Sequence, residues 1–251
     1  MLETLKIFNY TPPNINIIED EYLQKFGPTG PNSIFKIVNE NNVYRLLVKG
    51  EQWMMYNNND HMQGAQLFAH YYIANGDVLA TGLGFAIREC WLLNNQKIKS
   101  LTILEKNQHI IDYQKKANPL LFEKTNIICC DVKDYKSNKI YDTLLLDHYE
   151  FETMGDIIDD VKTTCNNIKC KKLWFWHLET QILADLHNRP EQWICEDFRS
   201  DRFKIDIETL KNIKPVYDNI KNVYGLDKLP NLTADELQLI LTIYTLFFQK
   251  M

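Results

Sequence analysis

The stretch Gly76-Asp77-Val78-Leu79-Ala80-Thr81-Gly82-Leu83-Gly84-Phe85-Ala86-Ile87 constrains this chain more than any other. Val78–Thr81 reads as a short buried strand that runs into a glycine turn and then a helix. Gly82 and Gly84 lack a Cβ, so the backbone can turn sharply there and a ligand can approach the amides closely. A helix opening behind them is expected to direct its unpaired N–H groups at that ligand. Three carboxylates follow in step. Glu105 directly succeeds the apolar run Leu101–Leu104, Asp131 closes Asn126–Cys130, and Asp147 closes Tyr141–Leu146.

The spacing gives these acids a common place. An acid roughly 20 positions past a glycine turn stands where it can accept hydrogen bonds from both ribose hydroxyls of a nucleoside. Asp131 is placed to take the exocyclic amine of an adenine, and Asp147 to face the same crevice. From Asp77 onward, short apolar strands alternate with helical segments: helices over 86–94, 108–117 and 155–168, strands over 101–104, 126–130, 141–146 and 173–176. Ile87, Cys90, Trp91 and Leu93 are expected on the inner side of the first helix. Such alternation predicts a parallel sheet covered on both faces. In these sheets ligands bind beyond the carboxyl ends of the strands, at the switch in strand order.

The sequence ahead of this unit has a different texture. Residues 1–33 carry Pro12, Pro13, Pro28 and Pro31 and read as an irregular arm with a short helix near 19–26. Runs at 34–38 and 43–48, split by Asn39-Glu40-Asn41-Asn42, predict a β-hairpin. Trp53–Tyr56 extends an apolar surface, and His61–Ala74 reads as a helix. The division drawn is therefore an arm, hairpin and helix over 1–75 and a ligand-binding unit over 76–251. Beyond His177 the signal thins to a strand at 193–198, a helix over 207–223, and a last helix opened by the capping box Thr233-Ala234-Asp235-Glu236. Leu237, Ile240, Leu241, Tyr244 and Phe248 give that helix an apolar face, expected to dock on the sheet, with a second copy of the chain, as in a homodimer, the competing partner.

Composition removes some function classes. The net charge is −5, so no global field draws the chain to nucleic acid or to an anionic membrane. Lys169, Lys171 and Lys172, the nearest approach to a basic patch, read as a solvated loop before a strand. Leu237–Phe248 is too short and interrupted to span a bilayer. Six cysteines without metal-ligand spacing suggest reduced thiols, and no basic region followed by an apolar stretch opens the sequence. The expectation is a cytoplasmic protein, with no metal site.

On these residues, 76–150 resemble the nucleotide-binding half of class I S-adenosylmethionine-dependent methyltransferases. The fold implied is α/β, a Rossmann-like sheet with an N-terminal β-hairpin extension and a helical C-terminal region. The implied cofactor is S-adenosylmethionine, held by Gly82, Leu83, Gly84, Glu105, Lys106, Asp131, Val132 and Asp147. Gly-Leu-Gly-Phe-Ala-Ile with Asp147-His148-Tyr149 is similar to guanidinoacetate methyltransferases. The hairpin ahead of the glycines, with Phe85-Ala86-Ile87-Arg88-Glu89, is similar in layout to spermidine synthases, which use decarboxylated S-adenosylmethionine. Phe85 and His148-Tyr149-Glu150 replace two Asp residues usual in the latter branch. Ala80 stands where many methyltransferases carry an acid. A dinucleotide dehydrogenase needs its third glycine at the position of Ile87, where a bulky side chain blocks close approach of helix and pyrophosphate.

The expected activity is methyl transfer to a small, nitrogen-bearing molecule of the amine, guanidine or polyamine class. Aminopropyl transfer and a non-catalytic cofactor-binding role are the alternatives. Asp147 is the first candidate to hold an acceptor cation and take its proton, with His148 as a base or an orienting group. Tyr149, Trp53 and Tyr56 are candidate aromatic walls for a cation, although Trp53 and Tyr56 also suit packing between hairpin and helix. Glu150 and Glu152 are further candidates in the loop after Asp147, Asp60 and Gln63 stand where a closing segment would be, and His177 and Glu179 open toward the same edge.

Overall fold

The computed structural model describes residues 35–40, 43–48, 51–57, 61–148, 154–187 and 211–248. The predicted arm, the turn at 41–42, the loop residues Asp60, Tyr149, Glu150 and Glu152, and the strand at 193–198 lie outside the described residues.

The unit that carries the site is a five-stranded parallel sheet. Its strands are β4 (Gly76–Thr81), β5 (Ile98–Glu105), β6 (Asn126–Cys129), β7 (Ile140–Leu146) and β8 (Lys169–Phe175), in the order β6-β5-β4-β7-β8. This is a Rossmann-like sheet flanked by helices. Val78, Leu79 and Ala80 on β4, Leu144–Leu146 on β7 and Leu173–Phe175 on β8 are consecutive residues with no exposed surface. Adjacent residues of a strand point to opposite faces, so unbroken burial means both faces are covered. The helices between strands are α2 (Ile87–Leu92), α3 (Gln108–Ala117), α4 (Pro119–Lys124) and α5 (Met154–Asn167). Crossovers leave β4 leftward toward β6 and rightward from β7 to β8. The right-handed rule for parallel strands therefore puts α2–α4 and α5 on opposite faces.

Ahead of the sheet, β1 (Phe35–Glu40), β2 (Val43–Val48) and β3 (Glu51–Asn57) form a separate antiparallel sheet in chain order. The expected hairpin is its first pair, and Val43↔Asn57 through Val48↔Glu51 add the third strand, with a register shift between Leu46 and Leu47. Ile37 and Leu46 join the common core. Helix α1 (His61–Ile73) then packs against β8 and α2, with Tyr71 stacked on Trp91 at 5.0 Å between ring centroids.

After β8 come α6 (Leu178–Leu186), α7 (Ile213–Tyr224) and α8 (Ala234–Phe248). The capping box at the start of α8 is formed, with Glu236 N–H donating to Thr233 Oγ1 at 3.2 Å and Thr233 N–H to Glu236 Oε2 at 2.8 Å. Helix α8 packs on α1, α6 and α7. Leu237, Ile240, Leu241 and Tyr244 are buried, and helices of the same chain are the principal partners of α8. Among the described residues no helix is long and apolar enough to cross a membrane.

Candidate active site

The strand order reverses at β4, so the crevice opens where β4 and β7 end side by side. Val78 pairs with Thr143, and Ala80 with Leu145, which brings Gly82 and Asp147 out of the sheet together. Gly82 has φ +78°, and a Cβ there would lie 2.0 Å from the Asp147 carbonyl oxygen. Only glycine lets these two chain segments touch. Gly84, at φ +46°, is pressed from the other side, since its Cβ would meet Met54 Sδ of β3 at 2.6 Å. The N-terminal sheet therefore seats directly on the glycine loop.

The amides of the loop itself bond within the protein. Gly82 N–H donates to Leu104 O at 2.8 Å, Leu83 N–H to Glu105 Oε2 at 2.8 Å, Phe85 N–H to Met54 Sδ at 3.3 Å, and Ala86 N–H to Leu83 O at 2.6 Å. Ala86 is left-handed, at φ +59°, so the helix behind the loop starts only at Ile87 and is short. Of these four amides, only that of Leu83 goes to a carboxylate; the others are taken by backbone carbonyls and by Met54.

That carboxylate is Glu105, at the end of β5 and 6% exposed. Its Oε1 accepts from Asn107 N–H at 2.8 Å. Burial raises its pKa above the ordinary value, while the Asn107 and Leu83 amides, the Lys106 charge and the Gly84 amide pull the other way. Oε1 takes the Asn107 bond and Oε2 the Leu83 bond, and with the Gly84 amide also directed at the group, the carboxylate keeps acceptor capacity for a hydroxyl. The loop is also braced from α3, where buried Gln114 donates through Nε2 to Gly84 O at 2.6 Å.

Asp147 follows β7 and is 31% exposed. Burial raises its pKa, and the Arg88 and His148 charges lower it. Arg88 Nη1 stands 3.6 Å from Asp147 Oδ2. Residue 88 was not singled out from the sequence, yet it is the hub of the strand ends. Its Nη2 donates to Thr81 O at 2.9 Å and Gly82 O at 2.8 Å, and its guanidinium pairs with Glu89. Both side chains are buried. Burial raises the Glu89 pKa, with Arg88 opposing. The inner side of α2 is thus Ile87, Arg88, Glu89 and Leu92, whereas Cys90, Trp91 and Leu93 are only half-buried.

His148 has both ring nitrogens at hydrogen-bond distance from protein groups. Nδ1 lies 2.7 Å from Thr81 Oγ1, and Nε2 lies 2.8 Å from Asp160 Oδ2 on α5. Asp131 accepts from Lys133 N–H at 2.9 Å through Oδ1 and is half-buried just past β6. Lys106 is exposed, while Leu83 and Val132 are buried. Trp53 and Tyr56 lie on β3, and Gln63 on α1, but their side chains lie outside the described residues. His177, at φ +71°, and buried Glu179 start α6. Burial pushes the His177 pKa down to about 4.

No family model matches this sequence, and no curated protein matches it. Solved structures similar to it are S-adenosylmethionine-dependent methyltransferases and spermidine synthases. The spermidine synthase from Thermotoga maritima is 14% identical with a TM-score of 0.40, over 56% of this chain and 52% of that one. The N-methyltransferase NodS from Bradyrhizobium japonicum WM9 is 13% identical with a TM-score of 0.34, over 46% of this chain and 63% of that one. The plantazolicin methyltransferase BpumL, whose structure holds a desmethyl analogue and SAH, is 18% identical with a TM-score of 0.35, over 64% and 63%. The chain spans between about half and just under two thirds of the length of each.

Proposed function

We propose that this chain is an S-adenosylmethionine-dependent methyltransferase acting on a small, nitrogen-bearing molecule. The observation that supports this most is the pairing of two differently built carboxylates at one strand edge. Glu105 is buried, fixed by backbone N–H groups and has acceptor capacity left. Asp147 is partly open and sits at the switch point beside a buried cation. The donor set suits the cofactor: a hydroxyl for Glu105, an amine for Asp131, and a positive centre for Asp147.

The cofactor's sulfonium makes its methyl group electrophilic. The remaining work falls to the chain: to hold an acceptor in line, strip its water and accept its proton. Arg88 is balanced by Glu89, so Asp147 adds a net negative charge to the crevice. That charge favours a cationic acceptor. His148, bound at both ring nitrogens, suits the orienting role better than that of a free base. Tyr149, Glu150, Trp53 and Tyr56 stay candidates for the acceptor's walls.

Aminopropyl transfer is the second reading, favoured by the antiparallel sheet that stands ahead of the glycine loop and touches it at Met54. Phe85, buried where that branch has an acid, weighs against it. Calorimetry with S-adenosylmethionine, its demethylated product and its decarboxylated form tests the choice. Tighter binding of the first two than of the third is expected, with Glu105→Ala weakening all three about tenfold or more, since each presents the same ribose and loses a charged hydrogen-bond partner. Tightest binding of the decarboxylated form would overturn the ranking.

A further inference from the structure

A continuous side-chain path ties helix α5 to the backbone of Asp147. Asp147 N–H donates to Thr81 Oγ1 at 3.1 Å. Thr81 Oγ1 lies 2.7 Å from His148 Nδ1, and His148 Nε2 lies 2.8 Å from Asp160 Oδ2. Asp160 Oδ1 is in turn 3.2 Å from Lys133 Nζ. Thr81 and Asp160 are both buried.

The path has one self-consistent direction. The Asp160 carboxylate only accepts, so His148 must donate to it through Nε2, and in the neutral ring Nδ1 is left to accept from the Thr81 hydroxyl. The proton positions are assigned from the heavy-atom partners.

This path has a use that packing alone does not explain. β7 ends at Leu146, so Asp147 lies past the last ladder bond and needs other anchors. Its carbonyl rests on Gly82, its N–H is taken by Thr81 at the end of β4, and its carboxylate faces Arg88. A site carboxylate needs placement to within about half an ångström, which demands this kind of support behind it.

We infer that Thr81, His148 and Asp160 are positioning residues, a strut that runs from α5 through the end of β4 and sets where the Asp147 carboxylate stands in the crevice. The inference rests on the reading of Asp147 as the carboxylate that faces a positive centre.

The test compares affinities of the full chain for S-adenosylmethionine, which carries a sulfonium charge, and its uncharged demethylated product. A carboxylate in place favours the charged ligand, so Asp147→Asn lowers that preference by about three- to tenfold. Asp160→Ala and Thr81→Val shift the ratio in the same direction by about threefold while affinity for the uncharged product holds. Thr81→Ser, which keeps the hydroxyl, restores the ratio. Should Thr81→Val fail to fold, Asp160→Ala and Thr81→Ser carry the comparison. A shift with Asp147→Asn and none with Asp160→Ala overturns the strut and leaves the reading of Asp147 intact. No shift with Asp147→Asn overturns that reading, and the strut's role with it. Equal loss of both affinities in Asp160→Ala marks the path as structural only and also overturns the inference.

Discussion

Arg88 is the residue on which the strand ends most depend. Its guanidinium holds two backbone carbonyls at the β4 end and pairs with Glu89, both side chains buried. Removing one partner of a buried pair strands the other charge. Arg88→Met is therefore expected to destabilise the fold by about 3–5 kcal/mol, and adding Glu89→Leu to recover a good part of that loss. Urea denaturation checks it, and a double variant no more stable than the single one would contradict it. Glu105 and Asp147 were legible in the sequence because each is an acid directly after an apolar strand. Arg88 was not, since a charged residue on a helix reads as solvated. Asp160 left a fainter signal: it shares one helical face with Ile157, Val161 and Thr164, all buried, so an acid in that stripe must have a partner.

At the scale of elements, helix α6 begins on His177, which is left-handed and largely enclosed. Burial drops its pKa to about 4 from the usual 6.5. The unfolded chain takes up this proton near 6.5, the folded chain only near 4. Its contribution is whole above 6.5 and is lost as pH falls through that window, at a slope of up to about 1.4 kcal/mol per pH unit. Asn tolerates the left-handed conformation, so His177→Asn is expected to flatten this part of the stability curve. Denaturation midpoints between pH 7 and 4 measure it, and parallel curves for the two proteins would contradict it. His70, buried and also shifted down, chiefly by burial and then by Arg88, is the same in both and cancels from the difference.

Element boundaries were readable where periodicity was clean, as in α3, which runs over Gln108–Ala117 as expected. They failed where tertiary contacts overrode local pattern. Helix α2 starts at Ile87, one residue later than expected, because Ala86 is left-handed, and it ends at Leu92. Strand β8 begins at Lys169, not at 173. Its lysines belong to a strand at the edge of the sheet among the described residues, with exposed and half-buried residues alternating along it. The third N-terminal strand was hidden by its polar ends, Glu51-Gln52 and Asn57.

Over the whole molecule, alternation of apolar strands and helices gave the sheet's class and the edge on which the candidate site is drawn. Strand order, and the seating of β3 on the glycine loop through Met54, depend on contacts far apart in the chain and left no local pattern. The docking of α8 is similar: its apolar face was plain, but only the folded chain shows α1 as its partner. The most direct test supplies S-adenosylmethionine labelled in its methyl group with a panel of amines, guanidines and polyamines. Transfer of the label to a nitrogen, with matching release of the demethylated cofactor and loss of both in Asp147→Asn, is the predicted result. Cofactor binding without label transfer to any member of the panel would contradict the assignment of methyl transfer to this class of acceptor.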